Sequence, residues 1–385
     1  MRPPFDAARL DRLMDEAEID VVLACSPHNV QYLLGGYRFF LFAHGTVMGV
    51  SRYLPIVGYV RGRPDRAFLI GNPLEAGQQE LEPPWVVDVA NAAWTSRQSA
   101  ELAGRALAQR GLARARIAVE ESFLPHDAHA ALAAELPGAV LQDAFAVLEE
   151  LRAVKRPDEL VELREGAEAV VGSMRAVFGQ ARPGMTRAEV ADLMRIEESR
   201  RGLSFEYCLV NTGPSYNRTP SAALRWEHGE LCCLDSGGSR HGYVCDMARM
   251  GWMGDVPERA RELLAQVAHV QEAARAVVAP GRRGGDILEA AHAAQRACAN
   301  GGGMDFVAHG MGLVSHEVPR LTSTGVVSYP ADHADRPLEA GMVLSIETDL
   351  RDPELGLIKL EDTVAVTPNG FEAFGDQGRD WNVTG

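Results

Sequence analysis

The chain lacks a C-x-x-C pair: its six cysteines stand at 25, 208, 232, 233, 245 and 298. Without zinc-ribbon or redox spacing, the sequence predicts a reduced, cytoplasmic protein with packing cysteines. No apolar run reaches the ~18–20 residues of a membrane span. The opening MRPPFDAARLDRLMDEAEID has no apolar signal-peptide core and reads as an amphipathic helix. No phosphate loop or nucleotide fingerprint occurs. Positive charge is scarce too, with 38 basic against 53 acidic residues and a net charge of −15. That balance argues against nucleic acid or an anionic membrane as partner, and leaves room for carboxylates gathered around a cation.

At 385 residues the chain predicts two domains. In 1–155, the β-rich runs IDVVLAC, RAFLI, WVVDVA and RIAVEE alternate with helical patterns such as SAELAGRALAQRGL and HDAHAALAAELPG, which is an α/β signature. A long helical pattern then begins near Pro157, so the boundary is placed at 155 and the second domain is 156–385.

The second half repeats itself weakly. RAVFGQARPGMTRAE at 175–189 and RAVVAPGRRGGDILE at 275–289 each read as helix, Pro-Gly turn, helix. Thr186-x-x-Glu189 is a capping-box pattern, and Asp286-x-x-Glu289 a second helix start. Apolar strand patterns carrying acids follow each helix pair, so two helix–helix–sheet units would converge their carboxylates on a cleft.

Those acids are unusual. In LCCLDSGGSRHGYVCDMARM, Asp235 ends one apolar run and Asp246 sits in the next, with Gly237, Gly238 and Gly242 read as the connection. AGMVLSIETDL and GLIKLEDTVAVT carry Glu347 and Glu361 in strand interiors. A buried carboxylate is costly unless paired or metal-bound. The stretch AHGMGLVSHEVP adds His309 and His316, seven apart. Gly310 and Gly312 disfavour a zinc-type helix there, and in one extended strand the rings would face opposite sides. Two aspartates, two glutamates and a histidine suit two divalent ions, and ligand type leaves Mn, Co, Fe and Zn all open. Two ions ~3.5–4 Å apart lower the pKa of a bridging water and clamp a carbonyl.

In order and surroundings, Asp235, Asp246, His309, Glu347 and Glu361 resemble the creatinase / Xaa-Pro peptidase / methionine aminopeptidase family, the M24-type "pita-bread" metallohydrolases. The resemblance covers D-x(10)-D, H-G-x-G-x-x-x-H-E, G-M-V-L-S-I-E and K-L-E-D, across about 156–370. It implies an α+β protein, with a C-terminal pita-bread domain preceded by a smaller creatinase-N-like domain. By the resemblance, Asp235 serves one metal, Asp246 and Glu361 bridge, and His309 and Glu347 serve the second. Glu347 is also the base, and His316 acts on the substrate carbonyl or leaving group. The implied activity is hydrolysis of peptide or amide bonds, of the Xaa-Pro dipeptidase or aminopeptidase kind, by a cytoplasmic homodimer acting on small peptides or amides.

Three departures mark this chain. GPSYNRTPSAALRWEHGE has no histidine where the Xaa-Pro peptidases usually carry one, and Tyr216 and Arg218 stand in that neighbourhood as substrate-binding candidates. The family's D-x-T-R becomes Asp246-Met247-Ala248-Arg249, which loses a hydroxyl beside Asp246, and Lys359 stands where an arginine is usual. The same scaffold also carries creatinase, ectoine hydrolase and dimethylsulfoniopropionate lyase activities. A pocket built by Tyr216, Arg218 and residues 31–45 would suit such a small zwitterion, although 31–45 reads first as a core strand and loop.

Overall fold

The computed structural model describes residues 2–42, 52–322 and 331–385. The chain divides into two compact units, Met1–Leu151 and Arg152–Gly385. In the first, the described strands are β1 (Val21–Ala24), β2 (Ile56–Val60), β3 (Phe68–Gly71), β4 (Asp88–Asn91), β5 (Arg116–Val119) and β6 (Val140–Asp143). They form a mixed sheet ordered β4-β3-β2-β1-β5-β6. Its helices are α1 (Ala7–Glu16), α2 (Pro27–Leu33), α3 (Ala76–Leu81), α4 (Ser96–Gln109), α5 (His126–Glu135) and α6 (Phe145–Arg152). Alternate sheet residues such as Val21, Leu23, Ile117 and Val119 bury against Ala100, Ala103 and Leu107 of α4 and Ala128 and Leu132 of α5.

Residues 31–33 belong to helix α2, not to the core strand expected for 31–45, because Ser26 caps the helix and Pro27 starts it. Positions 43–45, including His44, lie outside the described residues.

The second unit opens with α7 (Pro157–Gln180), where the Glu159 carboxylate accepts the Arg156 N–H, and α8 (Arg187–Arg200), whose N-cap is Thr186 with Glu189 closing the box. Strand β8 (Ser204–Thr212) and the long hairpin β10 (Leu231–Arg240) and β11 (Tyr243–Met253) complete the first half, beside a short pair β7 (Met185–Thr186) and β9 (Arg225–Trp226). The second half repeats this with α9 (Glu258–Arg275), α10 (Gly284–Ala297), β12 (Met304–Gly310), β13 (Glu317–Arg320), β14 (Val343–Asp352) and β15 (Gly356–Thr367), followed by β16 (Gly370–Phe374) and β17 (Asn382–Thr384). Helix α10 starts at Gly284. Asp286 is therefore its third residue, reaching back to the Arg283 N–H, not its cap.

Both halves share one sheet among the described residues, ordered β13-β12-β14-β15-β11-β10-β8. Leu344, Ile346, Leu360 and Val364, which alternate with the acids of β14 and β15, pack with Leu263, Leu264, Val267, Val270 and Ala274 of α9. The spacing of those five residues makes one apolar stripe, the pattern a sheet-packed helix needs.

Gly242 sits in the hairpin connection as expected, but Gly237 and Gly238 do a different job. The turn is His241-Gly242, both with positive φ, and Gly237 and Gly238 lie inside β10. A Cβ at Gly237 would meet the Tyr207 ring at 2.5 Å, and one at Gly238 would meet the Glu198 carboxylate at 2.9 Å. Glycine here admits side chains across the strand.

Candidate metal centre

Strand register brings the acids together. Gly237 pairs with Asp246 across the hairpin, and Asp235 stands two residues before Gly237, so both aspartates project from one face. Glu347 is the direct cross-strand partner of Glu361, Ala248 pairs with Glu361, and His309 pairs with Ser345. By the same alternation His309, Glu347, Glu361 and Lys359 share that face. Three overlapping groupings result: Asp246, His309 and His316; His309, Glu347 and Glu361; Asp235, Asp246 and Glu361. Within each, the donor atoms lie within 4.8 Å of one another. All five expected ligands are therefore side by side.

Their hydrogen bonding differs from one edge to the other. His309 is fully buried, and its Nδ1 lies 3.1 Å from the Gly310 carbonyl. That contact assigns the ring proton to Nδ1 and leaves the Nε2 lone pair for a ligand. His309 Nε2 and Asp246 Oδ1 are buried without a protein hydrogen bond among the described residues. Glu347 Oε1 is 3.8 Å from that Nε2. Unpartnered donors of this chemistry in a carboxylate-lined site fit a divalent cation. The ligands are steadied by hydroxyls: Ser345 donates to Glu361 Oε1 at 2.8 Å, and Ser315 to Asp246 Oδ2 at 3.0 Å.

The opposite edge is occupied by protein cations. Lys359 Nζ lies 2.7 Å from Asp235 Oδ2, 2.7 Å from Glu347 Oε2 and 2.9 Å from Glu361 Oε2. Arg218 Nη1 donates to the same Asp235 oxygen at 2.8 Å. Burial alone would push the Lys359 ammonium down, yet Asp235, Glu347 and Glu361 hold it well above the usual lysine range. Asp246 is the mirror case. Burial, then the charges of Glu361 and Asp235, push its carboxyl well above the usual range, and Lys359 and the Tyr207 hydroxyl offset this only in part.

His316 follows a bend after β12 and returns to stack on His309. Burial, with His309 and Lys359 nearby, lowers it to about 3, so its ring is neutral at ordinary pH. The glycines permit the bend: a Cβ at Gly310 would meet Val318 backbone at 2.4 Å, and one at Gly312 the Glu317 carboxylate at 2.0 Å. Glu317 is itself fixed by Lys155 at 2.8 Å and Arg152 at 3.2 Å.

The site opens on a cleft of about 620 Å³, a size suited to a small molecule or short peptide. Tyr216 is exposed on its lining, and Arg218 lines it while paired to Asp235. Tyr207, Ser315, Ser345 and the central placement of Lys359 were not foreseen from sequence. Only Lys359 gave a signal: standing two residues before Glu361 in a strand, it must share that residue's face. Arg249, a conceivable partner for Asp246, instead pairs with Asp362 at 3.1 Å and donates to the Glu361 carbonyl at 2.8 Å.

Among the described residues, no helix is long and apolar enough to cross a membrane. The chain is 25% identical over 382 residues to a putative dipeptidase, YkvY, of Bacillus subtilis (strain 168), covering 97% of this chain and 98% of that protein. It is 25% identical over 232 residues to the Xaa-Pro dipeptidase of Pyrococcus furiosus, covering 58% of this chain and 63% of that protein. Among solved structures, an Xaa-Pro dipeptidase from Bacillus anthracis superposes with a TM-score of 0.79 at 20% identity, covering 98% of this chain and 99% of that one, a likeness of fold. Residues 7–154 match the creatinase/prolidase N-terminal domain, and residues 161–368 match metallopeptidase family M24. The second match spans more than half of the sequence, and the chain belongs to metallopeptidase family M24.

Proposed function

We propose that the chain hydrolyses the amide bond of short peptides with a pair of divalent ions, as an Xaa-Pro dipeptidase or aminopeptidase. The observation that carries this is the convergence of Asp235, Asp246, His309, Glu347 and Glu361 on one sheet face, with His309 Nε2 and Asp246 Oδ1 unpartnered. Asp235 would serve one ion, His309 and Glu347 the other, and Asp246 and Glu361 both. When bound, such ions activate water and polarise a carbonyl, with manganese the first to try. Glu347, the least buried of the five, takes the proton of the attacking water, which general-base catalysis requires of a carboxylate at the cleft. His316 hydrogen-bonds the substrate carbonyl or hands a proton to the leaving nitrogen. Tyr216 and Arg218 orient the substrate along the cleft. The names of the relatives in Bacillus subtilis and Pyrococcus furiosus support the peptide class. The working form is a cytoplasmic homodimer.

A second reading has one observation in its favour. Arg218 stands in the segment lacking the upstream histidine and adds a guanidinium beside the centre. A small amide or zwitterion, hydrolysed or cleaved by elimination, would suit that charge.

The test is turnover by metal-stripped protein before and after Mn²⁺ or Co²⁺, on Xaa-Pro dipeptides, longer Xaa-Pro peptides, creatine and an onium compound. Restored cleavage of proline peptides, abolished in Glu347→Gln, is expected. Proline peptides left intact while creatine or the onium compound turns over would move the assignment to the second reading. A protein indifferent to metal on every substrate would overturn both.

A further inference from the structure

Beyond the acid cluster, β14 and β15 continue along the cleft as a ladder: Glu347 pairs with Glu361, then Asp349 with Lys359, then Arg351 with Leu357. On its other side β14 meets β12, where Asp305 is the direct partner of Asp349. Asp349 therefore stands between a cation and a like charge, and the cation is turned away. The Lys359 ammonium is taken by Asp235, Glu347 and Glu361 at 2.7–2.9 Å, which uses its three N–H donors. Directly opposed carboxylates repel. Arg351 reaches Asp305 at 3.4 Å, but both side chains are exposed, and such a pair holds neither firmly. Asp349 has no ion pair of its own among the described residues, and its Oδ1 is buried without a hydrogen bond. A carboxylate left this way in the wall of a substrate cleft is costly unless the substrate brings its partner.

We infer that Asp349 determines specificity by reading a positive side chain, lysine or arginine, on the residue whose carbonyl is attacked. This rests on the Xaa-Pro reading above and narrows it. In such a substrate the residue before the bond is the one that varies, since proline carries no charge. Asp349 follows Glu347 by two residues, about 6.8 Å along an antiparallel strand. The substrate α-ammonium, two bonds from the scissile carbonyl carbon, spans less than half of that separation. A lysine ammonium at the end of its four-carbon stem covers it. Val307 and Leu357 flank the same stretch of the cleft with apolar surface, on which such a stem packs while its head group stays polar. An arginine would meet the carboxylate through its planar fork.

The experiment is steady-state cleavage of Lys-Pro, Arg-Pro, Met-Pro and Glu-Pro, as dipeptides and as Xaa-Pro-Gly tripeptides, by the full-length protein supplied with Mn²⁺ or Co²⁺. Methionine has nearly the stem of lysine without its charge, so the ratio of kcat/KM for Lys-Pro over Met-Pro reads the charge alone. The native ratio is expected to be about tenfold or more, the worth of one hydrogen bond between charged groups. It should shrink as salt is added. Asp349→Asn is expected to bring the ratio toward unity, and Asp349→Lys to turn the preference toward Glu-Pro. A native ratio near unity would overturn the inference and leave the hydrolase reading standing. Equal loss on Lys-Pro and Met-Pro in a folded Asp349→Asn would also overturn it, since the acid would then only support the site. No peptide cleaved with metal present would overturn the inference together with the reading beneath it. The native ratio decides the matter even if the variants fail to fold.

Discussion

The His309 and His316 rings lie face to face, with centroids 3.8 Å apart and planes 19° from parallel. They stand seven positions apart in sequence, and a glycine-borne bend brings them together. His309 points its unpartnered Nε2 into the acid cluster, whereas His316 lines the cleft. Replacement should therefore separate two jobs. His309→Ala is expected to lose metal and activity together. His316→Ala is expected to keep its metal while kcat falls by about 10²–10⁴, the usual worth of a positioned acid–base group. Metal analysis beside turnover reads this directly. Equal metal loss in both variants would make His316 a ligand, which its grouping with Asp246 and His309 allows.

The Tyr207 ring lies over Gly237, and its hydroxyl lowers the Asp246 carboxyl against burial and the charges of Glu361 and Asp235, which push it up. Tyr207→Phe keeps the ring on the glycine and removes only the hydroxyl. A loss of about 10–100-fold in metal affinity or activity is expected, the range for groups that orient ligands from behind, with little change in melting temperature. An unchanged metal titration would show that the hydroxyl does not hold Asp246.

Much of this site was legible because acids in strand interiors are rare and costly, so Asp235, Asp246, Glu347 and Glu361 stood out without a structure. Alternation along K-L-E-D fixed the face of Lys359, but its reach to three carboxylates depends on the approach of β10 to β15, which is a tertiary fact. Two of the errors share a cause. Gly237 and Gly238 read as a turn, and the strand IVGYV was passed over, because glycine is usually punctuation. In both strands it makes room instead: a Cβ at Gly58 would meet the Phe68 ring at 2.2 Å, as one at Gly237 would meet Tyr207. No neighbour-by-neighbour reading reveals which ring will cross. Strand β6 escaped for another reason, since its Val140 and Asp143 are exposed and its alternation is faint.

Asp362, next to Glu361, faces the other way, into three guanidiniums. Arg249 at 3.1 Å, Arg379 at 3.1 Å and Arg275 at 3.5 Å surround it. Burial would raise its carboxyl, but Arg249, Arg379 and Arg275 hold it below the usual range. Asp362→Ala would leave Arg249, fully buried, without its acid. A loss of about 3–5 kcal/mol is expected, as for other broken buried pairs. Urea unfolding measures it, and a loss under 1 kcal/mol would mean that the backbone carbonyls of Glu361 and Gly375 already satisfy Arg249.

Glu198 gives the fold a pH dependence of a definite sign. It is fully buried, with Oε1 accepting from Ser236 at 3.0 Å and Oε2 unpartnered among the described residues. Burial, with Glu206 adding to it and the Ser236 hydrogen bond opposing, raises its carboxyl to about 7 from an ordinary 4.5. Between those values the folded protein holds a proton that the unfolded chain has released. The associated stability is thus fully present below about pH 4.5 and is lost as pH rises through about 7. The shift corresponds to about 3 kcal/mol across the window. Glu198→Gln, neutral at every pH and nearly the same shape, is expected to flatten that slope and to exceed the native protein in stability at pH 8. Urea unfolding of both proteins at pH 5 and pH 8, each stripped of metal, compares the slopes while other titrating groups cancel. Parallel slopes would show that Glu198 ionises in the folded protein as readily as in the unfolded chain.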